Sequence, residues 1–217
     1  PVGELGERRG GSNIVYRPHR LLRRKKMAES ITYFSIDVEA SGPVPGLFNM
    51  VSLGAVPVHH DEDGQWKPRS EEFYVEIKPA FEGFETEAME IHKLTKEHLD
   101  ANGVDTKEAM EQLNAWTLDQ AQKTRAVFVG HNAPFDWMNV AYYFAYAGLK
   151  NPYGYNALDT KALAMGKLDL HWLDTNKERL AELLPNLPAL DTEQVHNAVY
   201  DARYQAILLC ELLNRPK

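Results

Sequence analysis

The stretch "ITYFSIDVEA", residues 31–40, decides the fold. β-branched and aromatic residues fill it, and the turn-rich "SGPVPG" (41–46) bounds it, so it reads as a strand. Side chains alternate across a strand, which puts Tyr33, Ser35, Asp37 and Glu39 on one face and Phe34, Ile36 and Val38 on the other. The second face is wholly apolar and predicts a central, buried strand. Two carboxylates then sit side by side at its end. Like charges that close repel, and burial makes each costlier. One must take a proton, or a cation must lie between them. Hard carboxylate oxygens favour Mg²⁺ or Mn²⁺.

Working outward, "MVSLGAVPV" (50–58) and "EEFYVEIKP" (71–79) read as two more strands, joined as a hairpin across the polar turn "HHDEDGQ". Two short helical pieces are expected within 86–101. Over 106–123, Ala109, Met110, Leu113, Trp116, Thr117 and Ala121 recur at helical spacing and predict a helix packed on a sheet. "RAVFVG" (125–130) is a short apolar run, hence a buried strand. The following "HNAPFDWMNVAYYFAYAGL" predicts a long helix, with Asn132 as N-cap, Pro134 in the first turn and Gly148 at the stop. "NALD" (156–159) reads as a short strand, with Asp159 or Thr160 capping "TKALAMGK". A last helix is expected over about 192–213. Strands first, then strands alternating with helices, predict an α/β chain with a mixed sheet flanked by helices.

Two more acids stand out. Asp136 falls in the first turn of the long helix, directly after a buried strand, where mixed sheets commonly form a ligand crevice. A surface acid favoured by the helix N-terminus is the plainer reading. Asp201 lies on the last helix between Ala198 and Ala202, whose small side chains let a helix approach a sheet closely. His196, five residues earlier, has an imidazole suited to activating water. His131 and Asp136 share that spacing, so spacing alone does not choose between the two histidines. Asp-x-Glu is also weak by itself. Asp191-Thr192-Glu193 is a second copy, read as a helix cap.

Composition limits the partners. The chain has 217 residues, 44% of them hydrophobic and 25% charged, which suits one globular domain and excludes collagen, coiled coil and a largely disordered chain. No apolar run approaches the roughly 20 residues of a membrane span. The single cysteine excludes an intrachain disulfide and a multi-thiolate zinc site, and makes the reducing cytoplasm the expected compartment. Residues 1–26 carry eight Lys/Arg against two acids, and the rest of the chain sixteen against twenty-nine, a net of −13. The basic stretch reads as a disordered or non-native extension foreign to the domain, with Met27 as the natural start and residues 27–217 as the domain proper; a nucleic-acid-binding arm in "RPHRLLRRKK" is the alternative. So acidic a domain does not hold a phosphate backbone by long-range attraction. If it handles nucleic acid, it takes a short end and neutralises charge with metal.

Together, "FSIDVEASG", "GHNAPFD" and "HNAVYDA" resemble the three motifs of the DEDDh 3′–5′ exonucleases, the group of RNase T, oligoribonuclease and the polymerase III epsilon subunit. "AMEIHKLTKEHL" is similar to the segment between the first two. The resemblance spans about residues 31–213. It implies an RNase H-like fold with a five-stranded mixed sheet, and two-metal hydrolysis of terminal phosphodiesters to nucleoside 5′-monophosphates. It maps Asp37, Glu39, Asp136 and Asp201 onto the acids that hold two Mg²⁺ or Mn²⁺ ions. It maps His196 onto the general base and leaves His131 structural. The partners it implies are single-stranded RNA or DNA 3′ ends, RNA slightly preferred, with homodimerisation left open and no membrane. Many relatives read Asp-x-Glu-Thr-Thr-Gly where this chain reads Asp37-Val38-Glu39-Ala40-Ser41-Gly42, which puts sugar and base preference in question at Ala40. Phe48 and Met50 are candidates to stack against a base, with core packing as the alternative, and Asn132 is a further candidate contact. Two other readings stay open: a non-catalytic nucleic-acid-binding or polymerase-partner module, and a metal-dependent phosphohydrolase of free nucleotides.

Overall fold

The computed structural model describes residues 30–216; the basic stretch 1–26 and Met27 lie outside the described residues. The strands are β1 (Ile31–Ala40), β2 (Met50–His60), β3 (Trp66–Pro68), β4 (Phe73–Glu76), β5 (Arg125–Gly130) and β6 (Ala157–Asp159). The helices are α1 (Thr86–His92), α2 (Lys96–Asn102), α3 (Thr106–Ala121), α4 (Ala133–Tyr146), α5 (Thr160–Leu168), α6 (Lys177–Leu183) and α7 (Ala198–Asn214). They form one mixed sheet in the order β3-β2-β1-β5-β6, with β4 also paired to β2. β1 is central, antiparallel to β2 and parallel to β5. No helix among the described residues is long and apolar enough to cross a membrane.

The alternation of β1 sets the layers. Phe34, Ile36 and Val38 pack with Met110 and Leu113 of α3 and with Val140, Tyr143 and Phe144 of α4. The other face of the sheet, through Val56, Val58 and Val129, packs on Ala202, Ala206, Leu209 and Cys210 of α7. A third cluster pins α6 to α7, with Leu180 and Leu184 against Tyr204, Leu208 and Leu212. Leu180 is fully buried, worth roughly 1.5–3 kcal/mol.

The sheet has six strands where five were expected. The sixth is the three-residue edge β3, which pairs Trp66–Pro68 with Val58–His60. The polar turn before it is tighter than expected, closed by Asp61 and Gln65. The expected 71–79 strand is shortened to Phe73–Glu76. α6 lies in a segment that the sequence left unassigned. The last helix starts at Ala198, not near 192, because His196 takes a left-handed φ of 69° that a right-handed helix cannot continue. Residues 191–195 form turns instead, and the Asp191 carboxylate accepts from Glu193 N.

Asn132 does occupy the N-cap position of α4, but its φ is 71° and its side chain makes no cap bond. Asp159 does that work: one oxygen accepts from Ala133 N at 2.6 Å and the other from Ala162 N at 2.9 Å. A single carboxylate thus caps both α4 and α5.

Candidate metal and nucleic-acid site

The end of β1 supplies the floor of the site. Asp37 pairs with Gly54 and Glu39 with Ser52 across to β2, and the register then slips between Glu39 and Ala40. The slip turns the strand away just past the two carboxylates. Glu39 is buried and Asp37 partly so. α4 brings the third acid. Gly130 ends β5 with no side chain, and a Cβ there would stand 3.0 Å from Ala133 Cα and 3.2 Å from Asp136 Oδ2. That gap lets the first turn of α4 lie against the strand end, where Asp136 Oδ1 accepts from Val38 N at 3.1 Å.

α7 brings the fourth acid. Ala198 and Ala202 are buried against the sheet, and Asp201 lies between them in the first turn of the helix. Asp201 Oδ2 accepts from the backbone N of His196 at 2.7 Å, which folds the left-handed residue back over the acid. Donor atoms of Glu39, His196 and Asp201 lie within 4.8 Å of one another. All four acids line one cleft of about 430 Å³ together with His131, Asn132 and His196.

The electrostatics follow from that crowding. Burial pushes the Asp37 carboxyl up to about 7, with Lys177 opposing the shift and Asp201 adding to it. Burial pushes Glu39 up to about 9, and repulsion from Asp37, Asp201 and Asp136 adds to it. Asp136 is raised well above the carboxylate range by burial and by Asp37. Carboxylates that must be discharged to coexist are a donor set that fits divalent cations: oxygen ligands, buried, with excess negative charge.

The two histidines differ. Burial and the nearby Lys177 and Lys161 push the His131 imidazole down to about 3, so it is neutral. Its Nδ1 lies 2.9 Å from Thr160 Oγ1, and its backbone N donates to Gln205 Oε1 at 3.1 Å. His131 thus ties β5 to α5 and α7. His196 is exposed at the mouth of the cleft beside the acids.

Of the remaining candidate contacts, Ala40 and Asn132 line the cleft. Met50 does not reach it: it is fully buried in the core, and its backbone N donates to the Tyr143 hydroxyl at 2.7 Å. Phe48 is half-buried and is not among the residues lining the cleft; its ring fills the space beside Gly42 and Gly83. Met50 is thus a core residue, the alternative raised for it.

Two site residues escaped the sequence reading. Gln205 Nε2 donates to Asp37 Oδ1 at 2.5 Å while its Oε1 holds His131 N, so one amide locks the floor to the rim. Its position four residues after Asp201 puts it on the same helix face, a signal that was available. Lys177 forms an ion pair with Asp201 inside the cleft. Nothing local in "NKERLAELL" marks it.

Comparison with known proteins identifies the family. The family model described as Exonuclease (RNase T) matches residues 34–209. Cap18, a 3′–5′ DNA exonuclease of Escherichia coli, is 38% identical over 178 residues, which cover 81% of this chain and 88% of that one. A ribonuclease T of Klebsiella pneumoniae is 29% identical over 192 residues, 84% of each chain. Among solved structures, the nuclease domain of 3′hExo, a DEDDh family member bound to rAMP, superimposes with a TM-score of 0.66 at 12% identity, covering 85% of this chain and 92% of that one. Exonuclease I of E. coli in complex with a dT13 oligonucleotide gives 0.63 at 18% identity, covering 84% and 40%. At those identities the structural likeness concerns the fold.

Proposed function

The chain belongs to the exonuclease family of RNase T, of DEDDh type, and from that premise we propose that it removes nucleotides one at a time from single-stranded 3′ ends. The observation that carries this reading is the convergence of Asp37, Glu39, Asp136, Asp201 and His196 in one cleft. Asp37, Glu39, Asp136 and Asp201 would hold two divalent cations, Mg²⁺ or Mn²⁺. Such ions supply charge stabilisation for the attacking and departing oxygens of an in-line displacement. His196 takes the proton from the attacking water as its oxygen bonds to phosphorus. The bond to the 3′ oxygen of the penultimate nucleotide breaks, that oxygen takes up a proton from solvent to become the new 3′ hydroxyl, and a nucleoside 5′-monophosphate leaves. His131 stays neutral and holds the rim through Thr160 and Gln205. Asn132 and Ala40 border the terminal nucleotide, and Ile91 and Phe135, on the same lining, offer its base an apolar contact.

We assign DNA as the preferred polymer, not the RNA that the sequence slightly favoured. The reason is the 38% identity to a DNA exonuclease, against 29% to the ribonuclease T. The test uses 5′-labelled single-stranded DNA and RNA of equal sequence, incubated with Mg²⁺, with Mn²⁺ and with EDTA, beside an Asp37→Ala control. A metal-dependent ladder shortening from the 3′ end, faster on DNA and lost in the control, is the expected result. Faster shortening of RNA reverses the polymer assignment. No shortening of either by protein that has taken up metal moves the reading to a hydrolase of free nucleotides or to a binding module.

A further inference from the structure

Lys177 is the first residue of α6 and reaches into the cleft. Its ammonium pairs with Asp201, the two side chains being 19% and 3% exposed. It also acts on Asp37, Glu39 and Asp136, lowering the cost of charge on each. The placement is built into the fold. Asn176 caps α6 by accepting from Arg179 N at 2.8 Å. Leu180, one turn after Lys177, is buried against α7, the helix that carries Asp201. Lysine and acid therefore come from two elements fixed to each other by a shared core.

We propose that Lys177 is a tethered cation that competes with a divalent ion for Asp201, so that loading the site exchanges the ammonium for the ion. The inference rests on the metal reading given above and adds a residue to it. An ammonium in contact with a carboxylate and a divalent cation on the same oxygens repel strongly in a partly desolvated cleft. The ion carries twice the charge, and the lysine has a flexible four-carbon stem on which to withdraw. Asp201 is held by His196 N as well as by Lys177, so it keeps its place while its partner changes. The lysine thereby sets how tightly the site holds metal, and keeps four acids compatible when metal is scarce.

The test is calorimetric titration of Mn²⁺ into the full chain without nucleic acid, comparing wild type with Lys177→Met and Lys177→Arg. The methionine variant keeps the length and loses the charge. It is expected to bind Mn²⁺ about tenfold more tightly, with the arginine variant near wild type. Equal or weaker binding by Lys177→Met overturns the exchange. Should that variant fail to fold, wild type alone decides. Acylation of Lys177 by an amine-directed reagent, read by peptide mass spectrometry, is expected to rise severalfold when Mg²⁺ is added, and unchanged labelling overturns the proposal. Wild type that takes up no Mn²⁺ defeats the metal reading itself, an outcome distinct from equal binding by wild type and variant.

Discussion

Gly54 and Ala198 are in backbone contact: a Cβ built on Gly54 would stand 2.3 Å from the carbonyl carbon and oxygen of Ala198. Gly54 is also the residue paired with Asp37 across β1 and β2. The missing side chain therefore lets the start of α7 rest on the sheet beside Asp37, and Asp201 follows three residues later. Gly54→Val is expected to push α7 outward, costing about 1–3 kcal/mol of stability by overpacking. Metal affinity should fall by more than the loss of folded protein accounts for. Thermal unfolding together with Mn²⁺ calorimetry checks both, and unaltered Mn²⁺ binding would show that the close approach is dispensable.

Asp37→Ala, Asp201→Ala and His196→Ala are each expected to lower exonuclease turnover at least a hundredfold, the usual scale for losing a general base or a charge-stabilising group. Circular dichroism should report a retained fold. His131→Ala is expected to behave differently, losing about 1–2 kcal/mol of stability through its severed link to Thr160, with much of the turnover kept. Wild-type rates in the His196 variant would remove it from the chemistry.

Metal-stripped protein should become less stable as pH rises. Asp37, at about 7, and Glu39, at about 9, have folded-state values above those of an unfolded chain. Between the two limits the folded state binds more protons, so unfolding free energy falls with pH. The contribution is complete below about pH 4 and is lost as pH climbs through 7 and then 9. Melting temperatures measured from pH 5 to 9 in EDTA should decline across that window. Mn²⁺ should flatten the decline, and Asp37→Asn should reduce it. A melting temperature that climbs from pH 6 to 9 in EDTA would contradict the buried-acid account.

Gln205→Leu removes the amide that joins Asp37 to His131 N. The orphaned N–H costs about 1–3 kcal/mol. Asp37 also loses a hydrogen bond that favours its charged form, so metal uptake should need a higher pH than in wild type. Proton release on Mn²⁺ binding, followed in buffers of different ionisation enthalpy, measures the shift.

The sequence alone determined a good deal. The period-two alternation of residues 31–40 determined that β1 is central and that Asp37 and Glu39 share a face, because a pleat admits no other arrangement. Small residues at Ala198 and Ala202 marked the helix that lies close to the sheet, and the acid between them. Local signals also gave α3, β5 and α4 nearly to their ends.

Tertiary structure decided the rest. His196 ended the expected helix because the turn closed by Asn197 N on Gln194 O and its own bond to Asp201 hold a left-handed conformation that no propensity announces. Asp159 displaced Asn132 as the cap of α4 because β6 runs beside β5 and brings a carboxylate from 26 residues away. Met50 went to the core because it opens β2 and its side chain falls on the buried face, while Phe48, in the loop before it, lies beside Gly42 and Gly83. Lys177 entered the acid cleft because the buried face of α6 is fixed on α7. A lysine at a helix start looks like any solvated charge until the packing of two successive helices, α6 on α7, settles which charges it meets.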